Sequence, residues 1–412
     1  LPDPRRARSR RLQLPEVKRK VIIMETIAKT NKHIMPTYGR FAHTIKQGKG
    51  ATAFDESGKA YIDFGSGIGT NSLGYCDDEW VEAVCAQVQT LQHTSNLYYT
   101  SPASDFAEKL CEVTGYANAF LCNSGAEANE CAIKLARKYS HDKYGKGRHT
   151  IITLTGSFHG RTLTTLSATG QSAMHDHFFP FVEGFEYVEA NDYGGIEAKL
   201  SGDDVCAVML EYIQGEGGVV ELNKDFVDAV FDVCAKKDIL VIADEVQTGA
   251  GRTGKFLAGE WYGHKADITT MAKGLFGGLP GGACLANDKC ANVLTAGTHG
   301  STVGGNPVVM AGGKAVLDKV SDAAFLSQVI KKGDYIRARL DKLNKVTDIS
   351  GKGLMLGITL NGDAVAADVA KAALERGVLV LTAKEKVRLL PPLNISDNDL
   401  DKGLQVLEEI LS

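Results

Sequence analysis

From about residue 76 onward, stretches with helical spacing of apolar positions alternate with short runs that are apolar almost throughout. DDEWVEAVCAQVQTL (77–91) and SPASDFAEKLCEV (101–113) have the helical pattern. In the second, Ser101 can cap and Pro102 suits the first helical position. Then come a short apolar run, AFLC (119–122), and a longer helical one, AEANECAIKLARKYSHDK (126–143). TIITLTG (150–156), VCAVMLEYI (205–213), DILVIADEV (238–246) and DITTMAK (267–273) read as buried strands, with DFVDAVFDVCAKK (225–237) helical between two of them. Strand, crossover helix, strand is the pattern of a parallel sheet covered on both faces. After about residue 306 the rhythm changes. A helical stretch is followed by GLMLGITL (353–360), AADVAKAALERG (366–377), VLVLTA (378–383) and a last helix, DNDLDKGLQVLEEIL (397–411). The expected fold class is α/β: a large domain over 76–305 and a smaller α+β domain over 306–412.

The 412 residues suit two or three lobes rather than one core. No apolar run approaches the length of a membrane span. A net charge of −4 gives no electrostatic reason to expect nucleic acid. The nine cysteines are odd in number, scattered and without a C-x-x-C pair, which argues for reduced thiols in a cytoplasmic setting and against a structural zinc. Residues 1–20 differ from the rest, with eight Arg and Lys against Asp3 and Glu16. The expectation is a tail over 1–23 with Met24 as the start. An organelle transit peptide, implying a matrix location, is the alternative.

Open α/β sheets bind ligands at the carboxyl ends of their strands, and several unusual features fall there. GAGRTG (249–254) matches a dinucleotide fingerprint, but DEVQT separates it from its strand and no good helix follows, so it reads as a loop. NSGAEANE (123–130) is a better phosphate site, because a run ends, the chain turns at Ser124-Gly125-Ala126, and a helix begins. Asp244 and Glu245 end a buried strand, where an acid is costly unless a cation or hydrogen-bond donors meet it. An arginine would suffice. So would a protonated heterocycle such as a pyridinium, with a cofactor-bearing lysine supplied nearby. Lys273 ends the next apolar run. HDH (175–177) resembles a metal pair, but nothing completes it, and no metal is expected.

These residues, together with SNLYYTSP (95–102), LCNSGAEANECAIKLARK (121–138), SFHGRT (157–162), IQGEGGV (213–219), IADEVQTGAGRTGKF (242–256), MAKGL (271–275), HGSTVGGNP (299–307) and VRLLPPLNI (387–395), resemble the blocks of class III pyridoxal-phosphate aminotransferases of fold type I. The similarity runs from Met24 to the C-terminus. It implies a mostly parallel seven-stranded sheet in the large domain, with residues 24–75 joining the small one. It also implies pyridoxal 5′-phosphate as cofactor and a homodimer with shared active sites.

By that resemblance Lys273 bears the cofactor and, with Asp244 at the ring nitrogen, is catalytic. Gln247 meets the ring hydroxyl, Val246 and Phe158 cover the two ring faces, and Gly125 and Ala126 offer amides to the phosphate. Thr302 reaches the phosphate of the neighbouring subunit. Arg388 would hold the α-carboxylate of glutamate or 2-oxoglutarate, and Arg161 the far carboxylate. Glu216 resembles the family's switch acid, which pairs with the second arginine when a carboxylate-free amine end enters. Ser301 and Tyr38 are further pocket candidates, and Glu245 receives no chemistry. The implied reaction moves a terminal amino group, such as that of N-acetylornithine, to 2-oxoglutarate; succinyl-diaminopimelate is a possible further donor. Ornithine, succinylornithine or 4-aminobutyrate donors are the alternatives, followed by an aminomutase-like isomerase or a cofactor-binding protein without turnover. Gly281 departs from the family pattern, where isoleucine is common, and is expected to loosen the loop after the lysine.

Overall fold

The computed structural model describes residues 16–412, with side chains from residue 23. The first fifteen residues of the expected tail lie outside that range, and the remainder of that segment enters a helix, Glu16–His33. No helix among the described residues is long and apolar enough to cross a membrane.

Seven strands build the central sheet: β1 (Asn118–Cys122), β2 (Thr150–Leu154), β3 (Phe185–Val188), β4 (Val205–Leu210), β5 (Leu240–Asp244), β6 (Ile268–Met271) and β7 (Gly282–Ala286). Their order across the sheet is β1-β7-β6-β5-β4-β2-β3. The pairs β6–β5, β5–β4, β4–β2 and β2–β3 are parallel, and β7 runs antiparallel to both its neighbours. The sheet is therefore the mostly parallel α/β sheet that the alternating pattern predicts. Two of its strands escape that pattern. FEYV (β3) is a short edge strand, and GACLA (β7) lies inside what reads as a glycine-rich loop.

Side chains alternate across this sheet, so β5 feeds two cores. Leu240 and Ile242 pack with Cys131, Ala132 and Leu135 of the helix α1 (Gly125–Tyr144). Val241 and Ala243 pack with Phe226 and Val230 of the helix Lys224–Lys237 on the other face. Parity then sends Asp244 and Glu245 to opposite faces.

The C-terminal part forms a four-stranded antiparallel sheet of Val346–Lys352, Met355–Leu360, Lys386–Leu389 and Leu381–Ala383. The run VLVLTA is split. Val378–Leu379 leaves to pair in parallel with Ala60–Asp63, joining an N-terminal sheet that also holds Gln47–Lys49 and Thr52–Phe54. One apolar cluster continues from Met271, Ala283 and Leu285 of the central sheet to Leu356, Leu389 and Leu407 near the C-terminus. The strand that carries Arg388 is thereby held over the carboxyl ends of the central strands.

Candidate active site

A cavity of about 470 Å³ opens at those carboxyl ends. Each wall comes from a different strand end. After β1, Ser124 caps α1 by accepting from Glu127 N at 3.2 Å, while Glu127 reaches back to accept from Asn123 N at 3.0 Å. This reciprocal cap leaves the backbone of Gly125 and Ala126 lining the cavity. A Cβ on Gly125 would stand 2.6 Å from Val246 Cγ1, so the close approach of the two chain segments requires glycine.

Asp244 is 3% exposed and heavily hydrogen-bonded. Its Oδ2 lies 2.8 Å from His159 Nδ1 and accepts from Asn129 Nδ2 at 2.7 Å, while Oδ1 accepts from Val246 N at 3.0 Å. Asn129 is fixed in turn by donating to the His159 carbonyl and accepting from Thr270 Oγ1 at 2.6 Å. No lysine or arginine pairs with Asp244 among the described residues. His159 Nε2 is buried without a partner there.

Lys273 follows β6 directly with φ of +42°, a left-handed conformation unusual for a residue with a side chain. That turn takes it out of the strand and into the cavity lining. Burial pulls its ammonium below the usual lysine range, with Arg388 adding to the shift and Glu216, Asp244 and Glu211 opposing it. Its Nζ makes no ion pair among the described residues. A lysine held toward its neutral form beside an acid with no formal cation suits an aldehyde cofactor with a cationic ring. The backbone cradle at Gly125 suits that cofactor's phosphate. The residues fit pyridoxal phosphate.

Phe158, Arg161, Val246 and Gln247 also line the cavity, with the Arg161 guanidinium 5.5 Å from the Phe158 ring centroid. Arg388, 2% exposed, places Nη1 2.5 Å from Glu216 Oε1, 3.2 Å from Gln247 Oε1 and 3.3 Å from the Gly215 carbonyl. Gln247 Nε2 donates to the same Glu216 oxygen at 3.2 Å. Burial would raise the Glu216 carboxyl, but Arg388 outweighs it and holds the acid below its ordinary range. The arginine is thus occupied by an internal acid.

Five expected site residues are not part of the cavity lining: Arg388 and Glu216 reach it through Gln247, and Ser301, Thr302 and Tyr38 stand further apart. Ser301 accepts from Asn123 Nδ2 at 2.9 Å and from Gly304 N at 3.1 Å, but lines no part of it. Thr302 is exposed beside it, and Tyr38 is 72% exposed with Arg40 5.2 Å from its ring. Asn129, His159 and Glu211 line the cavity although sequence reasoning assigned them nothing. Their signal was available: Asn129 lies one helical turn beyond Gly125, His159 sits in SFHGRT, and Glu211 ends β4 as Asp244 ends β5.

Other expectations resolve by packing. GAGRTG opens no helix; its Arg252 is buried, donating to the carbonyls of Leu354 and Pro391 at 3.0 and 2.6 Å. His175 turns its Nε2 to the Leu166 carbonyl at 2.9 Å. A Cβ on Gly281 would lie 2.6 Å from Phe276 Cγ, so the glycine lets the loop seat on that ring.

The profile described as aminotransferase class-III matches residues 34–411. An acetylornithine aminotransferase from Haemophilus ducreyi is 51% identical over 380 residues, covering 92% of this chain and 96% of that protein. Among solved structures, the ornithine aminotransferase of Toxoplasma gondii superposes with a TM-score of 0.90 at 30% identity, covering 96% of this chain and 97% of that one. An acetylornithine aminotransferase from Elizabethkingia anophelis superposes with a TM-score of 0.85 at 34% identity, covering 94% and 98%.

Proposed function

The chain belongs to the class-III aminotransferases, pyridoxal-phosphate enzymes, and from that premise we propose that it moves the terminal amino group of N2-acetylornithine to 2-oxoglutarate, in arginine biosynthesis. The products are N-acetylglutamate 5-semialdehyde and glutamate. The observation that carries this reading is the Arg388–Glu216 pair, both members of which hydrogen-bond to Gln247 in the wall of the cavity that holds Lys273 and Asp244. A donor whose reacting end is a bare amine leaves that pair closed. A dicarboxylate acceptor competes with Glu216 for the guanidinium and gains a bidentate contact.

Pyridoxal phosphate, when bound, supplies an aldehyde that takes up the amino group and a cationic ring that draws electrons from the adjoining carbon. Asp244 holds a negative charge at the ring nitrogen, with His159 and Asn129 fixing its orientation. The amides of Gly125 and Ala126 hold the phosphate at the start of α1. Phe158 and Val246 confine the ring between them. Lys273 moves the proton between substrate and cofactor carbons, which its lowered basicity favours. Arg161 holds the donor's own carboxylate.

Ser301, Thr302 and Tyr38 serve the neighbouring subunit's cavity in a homodimer, which accounts for the exposure of Thr302 and Tyr38 here. The neighbouring exposed run of Leu97, Tyr98 and Tyr99 supports such an interface. All nine cysteines are free, which supports a cytoplasmic location. Ornithine is the second reading, favoured by the fold likeness to the Toxoplasma enzyme.

Single half-reactions test the proposal. The visible absorbance of bound cofactor is expected to bleach fastest with N-acetylornithine and to return with 2-oxoglutarate. Faster bleaching with ornithine or 4-aminobutyrate overturns the named donor and leaves the class. In Lys273→Ala the donor-driven bleaching should fall by about 10⁴-fold, the upper range for a positioned acid–base group.

A further inference from the structure

Two neighbouring parallel strands each run into a buried acid. Leu210 of β4 lies in register with Ala243 of β5, so Glu211 and Asp244 leave the sheet side by side, and both line the cofactor cavity. Asp244 is met by the side chains of His159 and Asn129. Glu211, 4% exposed, is met by two backbone amides from different segments. Phe158 N donates to Oε1 at 2.9 Å, and Gly215 N donates to Oε2 at 3.1 Å. Phe158 lines the cavity, and Gly215 precedes Glu216 and lends its own carbonyl to Arg388. One carboxylate therefore ties a pocket wall to the backbone of the arginine gate.

We propose that Glu211 is a positioning residue: charged, it latches the Phe158 wall to the loop that carries Glu216, and on taking a proton it releases that loop. A carboxylate accepts through both oxygens, whereas a carboxylic acid accepts well through one. The longer bond, to Gly215, is the one that gives way. Asp244 on the adjacent strand end disfavours a second negative charge, the Phe158 and Gly215 amides and the His159 ring favour one, and Lys273 is the other titratable group acting there. Burial, with Asp244 adding to it, pushes the Glu211 carboxyl up to about 7, so the latch operates near neutrality. Without it, Glu216 is held less firmly on Arg388 and separates the two kinds of substrate less sharply.

The inference rests on the aminotransferase reading for its kinetic consequence only. Hydrogen exchange, corrected for intrinsic pH dependence, is to be followed at residues 213–219 of the full-length, cofactor-loaded enzyme from pH 5.5 to 8. Protection is expected to fall as pH drops in the wild type, and to be low and flat in Glu211→Gln. The same variant is expected to lower the preference for N-acetylornithine over glutamate as donor by up to about tenfold, the worth of one hydrogen bond to a charged group, with kcat for the preferred donor changed less. Flat protection in the wild type overturns the latch even if the variant does not fold. So does identical pH dependence in both proteins. An altered donor ranking in the wild type would instead count against the proposed substrate, leaving the exchange result standing.

Discussion

Asp244 and Glu245 are adjacent in the chain, equally buried at 3% and 2%, and serve opposite sides of one sheet. Asp244 faces the cavity that holds Lys273, where its partners are the side chains of His159 and Asn129 and the Val246 amide, with no lysine or arginine paired to it among the described residues. Glu245 faces the other side of the sheet, beside a smaller cavity of about 140 Å³, where it accepts from Thr248 Oγ1 at 2.6 Å and from Ala258 N and Gly259 N at 2.9 Å each. One acid is left needing a ligand, and the other is satisfied by the loop it organises. Burial and strand-end position do not separate a chemical carboxylate from a structural one. The donors around it, and the lysine that shares its cavity, do.

The sharpest way to break this contrast is to neutralise each acid in turn. Asp244→Asn keeps the shape but removes the charge at the cofactor ring, and its half-reaction rate is expected to fall by roughly 10²–10³-fold, the range for loss of a preorganised electrostatic contact. Glu245→Gln should leave that rate essentially in place. Stopped-flow bleaching of both variants with one donor decides it. Equal losses in the two would erase the distinction.

Glu245 should instead report itself in stability. Burial raises its carboxyl to about 7, while the unfolded chain titrates near the model-peptide value of 4.5. Between those values the folded state holds a proton that the unfolded state has lost, so its contribution favours folding below about pH 4.5 and fades as pH rises to about 7. The size is about 3 kcal/mol across that window, from roughly 1.4 kcal/mol per unit. Chemical denaturation of wild type and Glu245→Gln at a series of pH values should show changes in stability across that window that differ by this amount. Superimposable pH profiles would mean that the buried acid does not titrate as described. Glu211 adds a slope of the same sign to both proteins, so only the difference is diagnostic.

Why the sequence revealed one acid's role and hid others follows from what is local. The run LVIAD followed by Glu245 marks a strand end, and NSGA marks a strand-to-helix turn, because both signals lie within a few residues. The main parallel strands are legible for the same reason: they are apolar throughout. GACLA is not, since glycines open a short weak run that pairs antiparallel with both β1 and β6, β1 lying far back in the chain. FEYV is a four-residue edge strand with a half-buried alternation. His159 and Asn129 converge on Asp244 from 85 and 115 residues away, which no spacing rule reports. Glu211 was read into a strand continuing to Ile213, although the strand stops at Leu210 and the acid is its end. GAGRTG teaches the converse. Its glycines fit a phosphate pattern, yet Gly251 and Gly254 take φ of +83° and +85° to wrap a loop around buried Arg252.

The smallest expected effect joins the two legible signals. Gly125 begins α1 beneath the cavity, and Val246 follows the two acids, so the phosphate turn and the strand end touch at one point. A methyl at Gly125 would sit 2.6 and 2.9 Å from the two Val246 methyls. A β-branched side chain has few rotamers to yield with, so the clash moves backbone on one side or the other. If α1 moves, its amides no longer meet the phosphate squarely; if Val246 moves, the ring loses a wall. Either way Gly125→Ala should weaken cofactor binding by about tenfold, the scale of a modest overpacking cost of 1–3 kcal/mol. Adding Val246→Ala removes both clashing methyls and should restore affinity in the double variant to near that of Val246→Ala alone. Equilibrium titration of cofactor into the three variants measures this. If the double variant binds no better than Gly125→Ala, the loss comes from the helix start itself, and the contact between the two segments is not what sets the cradle.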